Sequence, residues 1–221
     1  MSDFIHLHNH TDYSLLDAAQ SIDMMSDRLS DIGMDTIAVT EHGNLFSLIP
    51  FYKNAISNGI KPILGCEVYV AQGKHTDRHI DRSGTKWNYH HLLLLVQNEI
   101  GLKNLTQLVS IGYLDGFYYK PRIDKDLIRE YNEGLICTSG CLAGEVNHYA
   151  SIDDYEGAKR AALEYQEIFG ERFYLEVQNH GIDDEIKSHK ILLKLSQELG
   201  IELVATNDNH YAFEEHWESH D

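Results

Sequence analysis

A chain of 221 residues with 43% hydrophobic content has enough apolar material for a substantial core, and one large α/β domain accommodates it. With 18 Lys and Arg against 35 Asp and Glu, the formal charge of -17 excludes the basic stripe by which nucleic-acid-binding surfaces displace counterions from phosphates. A polyanionic substrate must then be drawn in by bound divalent cations or by another domain.

No run of about 18 apolar residues and no basic-then-apolar leader points to a membrane or to secretion. Cys66, Cys137 and Cys141 form an odd set at no zinc-ribbon spacing, so reduced thiols and a cytoplasmic setting are expected.

In chain order, Phe4 to His8 predicts a strand, Ser21 to Ile32 a helix with Ser21 as N-cap, and Thr36 to Thr40 a second strand. Leu45 to Ser57 predicts a helix, Ile60 to Val70 and His91 to Val96 strands, and Gly101 to Tyr113 a helix. Strands at Gly134 to Thr138, Phe173 to Gln178 and Glu202 to Ala205 alternate with helices at Asp153 to Phe169 and Asp183 to Leu199. Six or seven strands separated by helices imply a parallel sheet, open or closed into a barrel. The polar stretch from Gly73 to Asn88 reads as a surface excursion.

The unusual polar residues share an address on that map. His6, His8 and His10 occupy alternate residues, so one face of an extended strand can present all three where it ends. Glu41-His42-Gly43 follows the second strand, Cys66-Glu67 lies in or near the third, Cys141 follows the Leu135 to Thr138 strand, and Asp208-Asn209-His210 follows the last. In parallel α/β folds the C-terminal strand edge is where active sites assemble from separate loops, and structural histidines have no reason to gather there. The pattern points to a metal centre.

Five ordered segments, His8 to Asp17, Thr40 to Asn44, Gly65-Cys66-Glu67, Ser139 to Glu145 and Asn207 to Tyr211, resemble the successive motifs of the polymerase and histidinol phosphatase (PHP) family. Ser14-Leu15-Leu16-Asp17 and Gly116 to Asp124 narrow the resemblance to the N-terminal PHP domains of bacterial replicative DNA polymerase III alpha subunits.

The resemblance implies a distorted (β/α)7 barrel holding three divalent metal ions at its strand ends. His8, His10, Glu67 and Asp208 would hold one ion, Glu67, His91 and Cys141 a second, and Asp17, His42 and His210 a third. Imidazoles, carboxylates and one thiolate suit zinc, manganese or iron more than magnesium or calcium. Asp17 and Cys141 stand where many free-standing family phosphatases use histidine.

Other positions carry two readings each. Family match and strand parity choose His91 over His90 as the ligand, and His6 falls to the supporting shell. Cys66 and Cys137 read as small core residues, and Glu41 either orients a ligand or is solvated. His75, His79, His148, His189, His216 and His220 read as surface residues. His180 either contacts a phosphate or donates a proton to the leaving oxygen, or else has a loop or strand-capping role. Lys120 and Arg122 either steady a phosphate or belong to a solvated loop or an interdomain contact.

Such a centre supports phosphoester hydrolysis by a metal-activated hydroxide, with Glu67, Asp208 and His180 as the catalytic set. Three readings follow. The chain is a 3′ to 5′ exonuclease domain giving proofreading on DNA ends, a stand-alone phosphomonoesterase such as a histidinol-phosphatase-like enzyme, or a catalytically silent module of a polymerase. The polymerase-type motifs favour the first and third over the second, and the complete ligand set favours the first over the third. Residues 1–221 then read as one PHP domain excised from a longer polymerase chain, whose remaining domains, replisome subunits and DNA 3′ ends would be its partners.

Overall fold

The structure, a computed structural model, describes residues 4–15, 17–78 and 88–220. Helix α1, Ile22–Ile32, begins where the Ser21 hydroxyl accepts from the Met24 amide and ends at Gly33, whose φ of 70° lets its amide reach the Leu29 and Ser30 carbonyls. Strand β1 (Thr36–Val39), helix α2 (Leu48–Ser57), strand β2 (Lys61–Ala71) and strand β3 (Tyr89–Val96) follow. Helix α3 (Glu99–Leu114) is capped by Asn98, which accepts from the Ile100 and Gly101 amides.

Next come β4 (Phe117–Tyr118), β5 (Lys120–Ile123), α4 (Lys125–Tyr131), β6 (Leu135–Thr138), α5 (Glu145–Ser151) and α6 (Tyr155–Phe169). Strand β7 (Phe173–Val177), helix α7 (Asp183–Leu199), strand β8 (Leu203–Ala205) and a last short helix α8 (Trp217–His220) complete the order. The β4–β5 hairpin, α4 and α5 are absent from the sequence expectation. None exceeds seven residues, too few for apolar periodicity to register. Among the described residues no helix is long and apolar enough to cross a membrane.

The sheet runs β4-β5-β2-β3-β6-β7-β8, with β1 parallel to the first half of β2. It is mixed rather than parallel, because β3 lies antiparallel to both β2 and β6. A parallel β2–β3 pair would need a crossover helix, and the described residues between them contain none. Residues 79–87 of the expected surface excursion lie outside the described residues.

The predicted Phe4 to His8 strand forms only isolated bridges, His6 with Ile37 and Asn9 with Asn209, yet it closes the barrel. The Ala38 amide donates to the His6 carbonyl (2.9 Å), the Thr40 amide to Asn9 (3.0 Å), the His10 amide to Asn209 (2.8 Å) and the Asn209 amide to His8 (3.1 Å). With this segment between β8 and β1, seven staves surround the interior: the segment, β1, β2, β3, β6, β7 and β8. The fold is a distorted (β/α)7 barrel.

Alternation sorts the side chains. Cys66, Val68, Val70, Leu92 and Leu94 face the helices in the main core, while Leu93 and Leu95 pack with Ala38, Leu7, Ile63 and Ile136 inside the barrel. That interior plug stops at Leu93. Glu67 sits opposite Leu93, and the next inward position of β3 is His91, opposite Tyr69. Because β3 runs antiparallel, its N-terminal end meets the rim reached by the C-terminal ends of its neighbours.

Candidate metal centre

The N-terminal segment is pinned by Asn9, whose amide nitrogen donates to the His6 (2.9 Å) and Ala38 (3.1 Å) carbonyls and whose oxygen accepts from Asn209 Nδ2 (2.6 Å). This leaves His8 and His10, both fully buried, turned into the barrel mouth. His42 and Gly43 follow β1. Gly43 has φ of 60°, and a Cβ there would meet the Tyr69 ring at 2.7 Å, so only glycine lets the chain turn beside His42.

The acids and imidazoles converge. His8 Nε2 lies 3.4 Å from Glu67 Oε1 and 3.2 Å from Asp208 Oδ1, while His10 Nε2 lies 3.5 Å from Glu67 Oε2 and 3.2 Å from Asp208 Oδ1. On the other side of Glu67, His42 Nδ1 approaches Oε2 at 2.6 Å and His91 Nδ1 approaches Oε1 at 2.9 Å. Cys141 Sγ stands 3.6 Å from Glu67 Oε1 and 3.7 Å from His91 Nδ1. Asp17 pairs with His42 Nε2 and, at 3.1 Å, with His210 Nε2.

All nine residues named by sequence therefore meet in one constellation centred on Glu67. Three groups within it place their donor atoms as ligands of one ion would: His8, His10 and Glu67; His42, Glu67 and His91; and His10, His42 and His210. The last two divide the imidazoles differently from the expected sets: His42 reaches Glu67 as well as Asp17, and the His10 ring centroid lies 4.0 Å from that of His42 and 4.5 Å from that of His210.

The same atoms supply the fit test. His8 Nε2, His10 Nε2, His42 Nδ1, Glu67 Oε2 and Asp208 Oδ1 are buried without a hydrogen-bond partner. A buried polar atom without a hydrogen bond costs about 1–3 kcal/mol, and although His42 Nδ1 and Glu67 Oε2 lie 2.6 Å apart as an ion pair, His8 Nε2, His10 Nε2 and Asp208 Oδ1 gathered beside Glu67 are poorly explained as packing. A mixed set of imidazole, carboxylate and thiol donors at that point fits divalent transition ions.

Burial and the neighbouring His42 push His10 down to about 3, leaving a neutral imidazole. His42 is pushed up to about 10: burial opposes the charge, but Glu67 and Asp17 outweigh it. Burial likewise opposes ionisation of Glu67 and Asp208, yet His91, His42 and His8 hold Glu67 well below the carboxylate range, and His8 and His10 do so for Asp208. The Cys141 thiol is pushed up by burial and by Glu67 and Asp208.

Three supporting residues went unread or half-read in the sequence. Glu41 is buried, not solvated: it accepts from the Thr11 amide (3.1 Å), the Thr11 hydroxyl and the Ser14 hydroxyl. Ser14 in turn contacts His10 Nδ1 at 3.0 Å and accepts from the His42 amide at 3.1 Å. Glu176 is fully buried, 2.8 Å from His8 Nδ1. Its signal was parity: Phe173 and Leu175 face the helical core, so Tyr174 and Glu176 face inward.

The remaining candidates are placed as follows. His6 pairs with Asn209 Nδ2 (2.8 Å), outside the constellation, and His90 turns to the opposite face of β3, beside Gln72 and His148. Cys66 and Cys137 are buried. His75 is half-buried against Asp124 (2.6 Å), and His148, His189 and His216 are also half-buried rather than surface residues. His79 and the side chain of His220 lie outside the described residues.

His180 has both ring nitrogens engaged, Nδ1 with Glu185 (2.6 Å) and Nε2 with the Asn207 carbonyl (2.6 Å), which ties it one residue from Asp208. Lys120 is exposed, with Nζ 5.2 Å from the centre of the Tyr69 ring, whose own centroid is 5.2 Å from that of His91. Arg122 is corrected: it is 1% exposed, and its guanidinium donates to the Gly116 (3.3 Å), His75 (3.1 Å) and Asp77 (2.7 Å) carbonyls. A side chain so spent on backbone acceptors is a structural staple for the loop after β2, not a phosphate contact.

The PHP domain pattern matches residues 6–180. DNA polymerase III subunit alpha of Borreliella burgdorferi is 50% identical over 210 residues, which span 95% of this chain and 18% of that protein. The same subunit of Helicobacter pylori strain J99 is 44% identical over 218 residues, 94% of this chain and 18% of that protein. The chain thus spans about a fifth of the length of these relatives. Among solved structures, a histidinol phosphate phosphatase from Lactococcus lactis, complexed with zinc, L-histidinol and phosphate, superposes with a TM-score of 0.51 at 14% identity, covering 95% of this chain and 87% of that one.

Proposed function

The chain belongs to the PHP domain family, and from that premise we propose that its barrel mouth is a three-ion phosphoesterase centre of a replicative polymerase alpha subunit, removing nucleotides from DNA 3′ ends. The observation that carries the reading is the gathering of buried His8 Nε2, His10 Nε2 and Asp208 Oδ1, none of them in a hydrogen bond, beside Glu67 and its neighbours His42 and His91. The sequence similarity to polymerase III alpha subunits supports the setting, beside replicating DNA in the cytoplasm.

In this reading His8, His10, Glu67 and Asp208 hold one ion, Glu67, His91 and Cys141 a second, and Asp17, His42 and His210 a third, with His42 close enough to Glu67 to serve either neighbour. Zinc, manganese or iron bound there would supply an activated water and neutralise charge on the phosphoryl oxygens. The protein's own part is orientation. Glu67 Oε1 lies between His8 and His91 and Oε2 between His10 and His42, so each carboxylate oxygen faces both sides of the constellation; Ser14 and Glu41 hold His10, and the apolar plug of Leu93 and Leu95 closes the barrel beneath it. Lys120 is the exposed cation beside the constellation and the candidate phosphate contact. His180 reaches a leaving oxygen only by releasing the Asn207 carbonyl.

The test is direct. Metal-loaded protein should shorten a labelled single strand from its 3′ end, and Asp208→Asn or His10→Ala should abolish this without unfolding the chain. Preference for histidinol phosphate or an aryl phosphate over DNA would instead support the phosphomonoesterase reading. Inertness to all three with metals bound would support a silent structural module.

A further inference from the structure

We infer that Glu176 is a positioning residue of the centre: its buried carboxylate fixes the His8 imidazole so that Nε2 faces the ion, an inference resting on the metal-dependent reading above. Glu176 Oε1 lies 2.8 Å from His8 Nδ1, so with Nδ1–H donating to the carboxylate, the lone pair of Nε2 is left for an ion. That nitrogen is one of the unpartnered atoms, between Glu67 and Asp208.

The rest of the Glu176 environment holds it in place. Thr138 donates to Oε2, Thr206 and Gln178 donate to Oε1, and Gln178 also lies 3.3 Å from Thr206. The Glu176 amide donates to the Ser139 hydroxyl (2.8 Å), and its carbonyl accepts from Asn147 (3.3 Å), which also holds the Gly140 carbonyl (2.6 Å) next to Cys141. No Lys or Arg is among these partners. Among the described residues His8 is the one titratable base in contact with this carboxylate, which makes the carboxylate's burial intelligible as a device for that imidazole.

His10 is held differently, through the neutral Ser14 hydroxyl, with Glu41 one step further away. The two imidazoles of one His-x-His pair are therefore unequal. His8, bonded directly to an anion, is the more basic donor.

The experiment compares the chain with its Glu176→Gln variant, which keeps the volume and one acceptor oxygen for His8 but removes the charge and turns the other oxygen into a donor that the Thr138 hydroxyl can accept. Zn2+ affinity is measured by competition with a chromophoric chelator, and Co2+ by its visible absorption. The expected result is a Zn2+ affinity about 10- to 100-fold weaker and a shifted Co2+ spectrum. A lower melting temperature with unchanged Zn2+ affinity and Co2+ spectrum would make Glu176 a mere core carboxylate and overturn the inference. Should Glu176→Gln fail to fold, Thr206→Val withdraws one hydrogen bond from the carboxylate without touching His8. It should weaken Zn2+ binding by a smaller factor, and unchanged affinity in that variant overturns the inference equally. A wild-type chain that binds neither ion defeats the metal reading itself, a result distinct from normal binding by both chains.

Discussion

Asp208 Oδ1 lies 3.2 Å from His10 Nε2, and neither atom makes a hydrogen bond. The two are not an isolated pair: His10 Nε2 also lies 3.5 Å from Glu67 Oε2 and Asp208 Oδ1 3.2 Å from His8 Nε2, the crowding of donor atoms that ligands of one ion show. Replacing Asp208 with Asn keeps the shape and removes the charge. We expect elemental analysis to show less bound metal and phosphoesterase activity to fall about 10²-fold or more, the scale of losing one preorganised electrostatic group. Full metal content with an undiminished rate would place the chemistry elsewhere.

Cys141 predicts how metal affinity depends on pH. Its thiol is pushed up by burial and by Glu67 and Asp208, so it is protonated near neutrality in the metal-free chain. An ion that takes the thiolate must expel that proton, and affinity must rise with pH. Titrating Zn2+ between pH 6.5 and 8.5 should give a slope of log affinity against pH that is lower by about one in Cys141→Ser. Identical slopes would remove Cys141 from the ligand set.

His42 predicts the pH dependence of the metal-free fold. Its folded-state value, near 10, stands above the unfolded value of 6.5, because Glu67 and Asp17 outweigh the cost of burial. The stability this supplies is fully present below pH 6.5 and is lost as pH rises through 10. With chelator present, the gap in melting temperature between the wild-type chain and His42→Gln should be widest near pH 6 and close toward pH 10. A gap that widens as pH rises would mean that His42 is neutral in the fold.

Much of this centre was legible because its chemistry is concentrated in few residue types at strand ends. His8, His10, His42, Glu67 and Asp208 announced themselves by type and spacing, and the β/α rhythm placed them on one rim. Strand direction was not legible. His91 lies near the start of its strand, and only the antiparallel course of β3 brings it beside Glu67. Glu176 was missed because a single acid in Phe-Tyr-Leu-Glu-Val has no unusual neighbours, and its meaning lies in His8, far away in sequence. Arg122 was misread for a related reason. In an acidic chain an arginine beside a lysine suggests an anion, whereas its acceptors are carbonyls of a loop whose path the sequence does not disclose.

That contrast between neighbours yields the last prediction. Arg122→Met leaves the Gly116, His75 and Asp77 carbonyls without their donor, in a place where the original side chain is 1% exposed. Lost hydrogen bonds and unsatisfied acceptors should destabilise the chain by about 2–4 kcal/mol, while KM for a phosphorylated substrate stays unchanged wherever the variant is folded. Lys120→Ala should do the reverse. Lys120 is exposed and contacts the Tyr69 face, so stability should change by no more than about 0.5 kcal/mol while KM rises. Thermal melts paired with steady-state kinetics on both variants separate the two roles, and a KM effect confined to Arg122→Met would reverse the assignment.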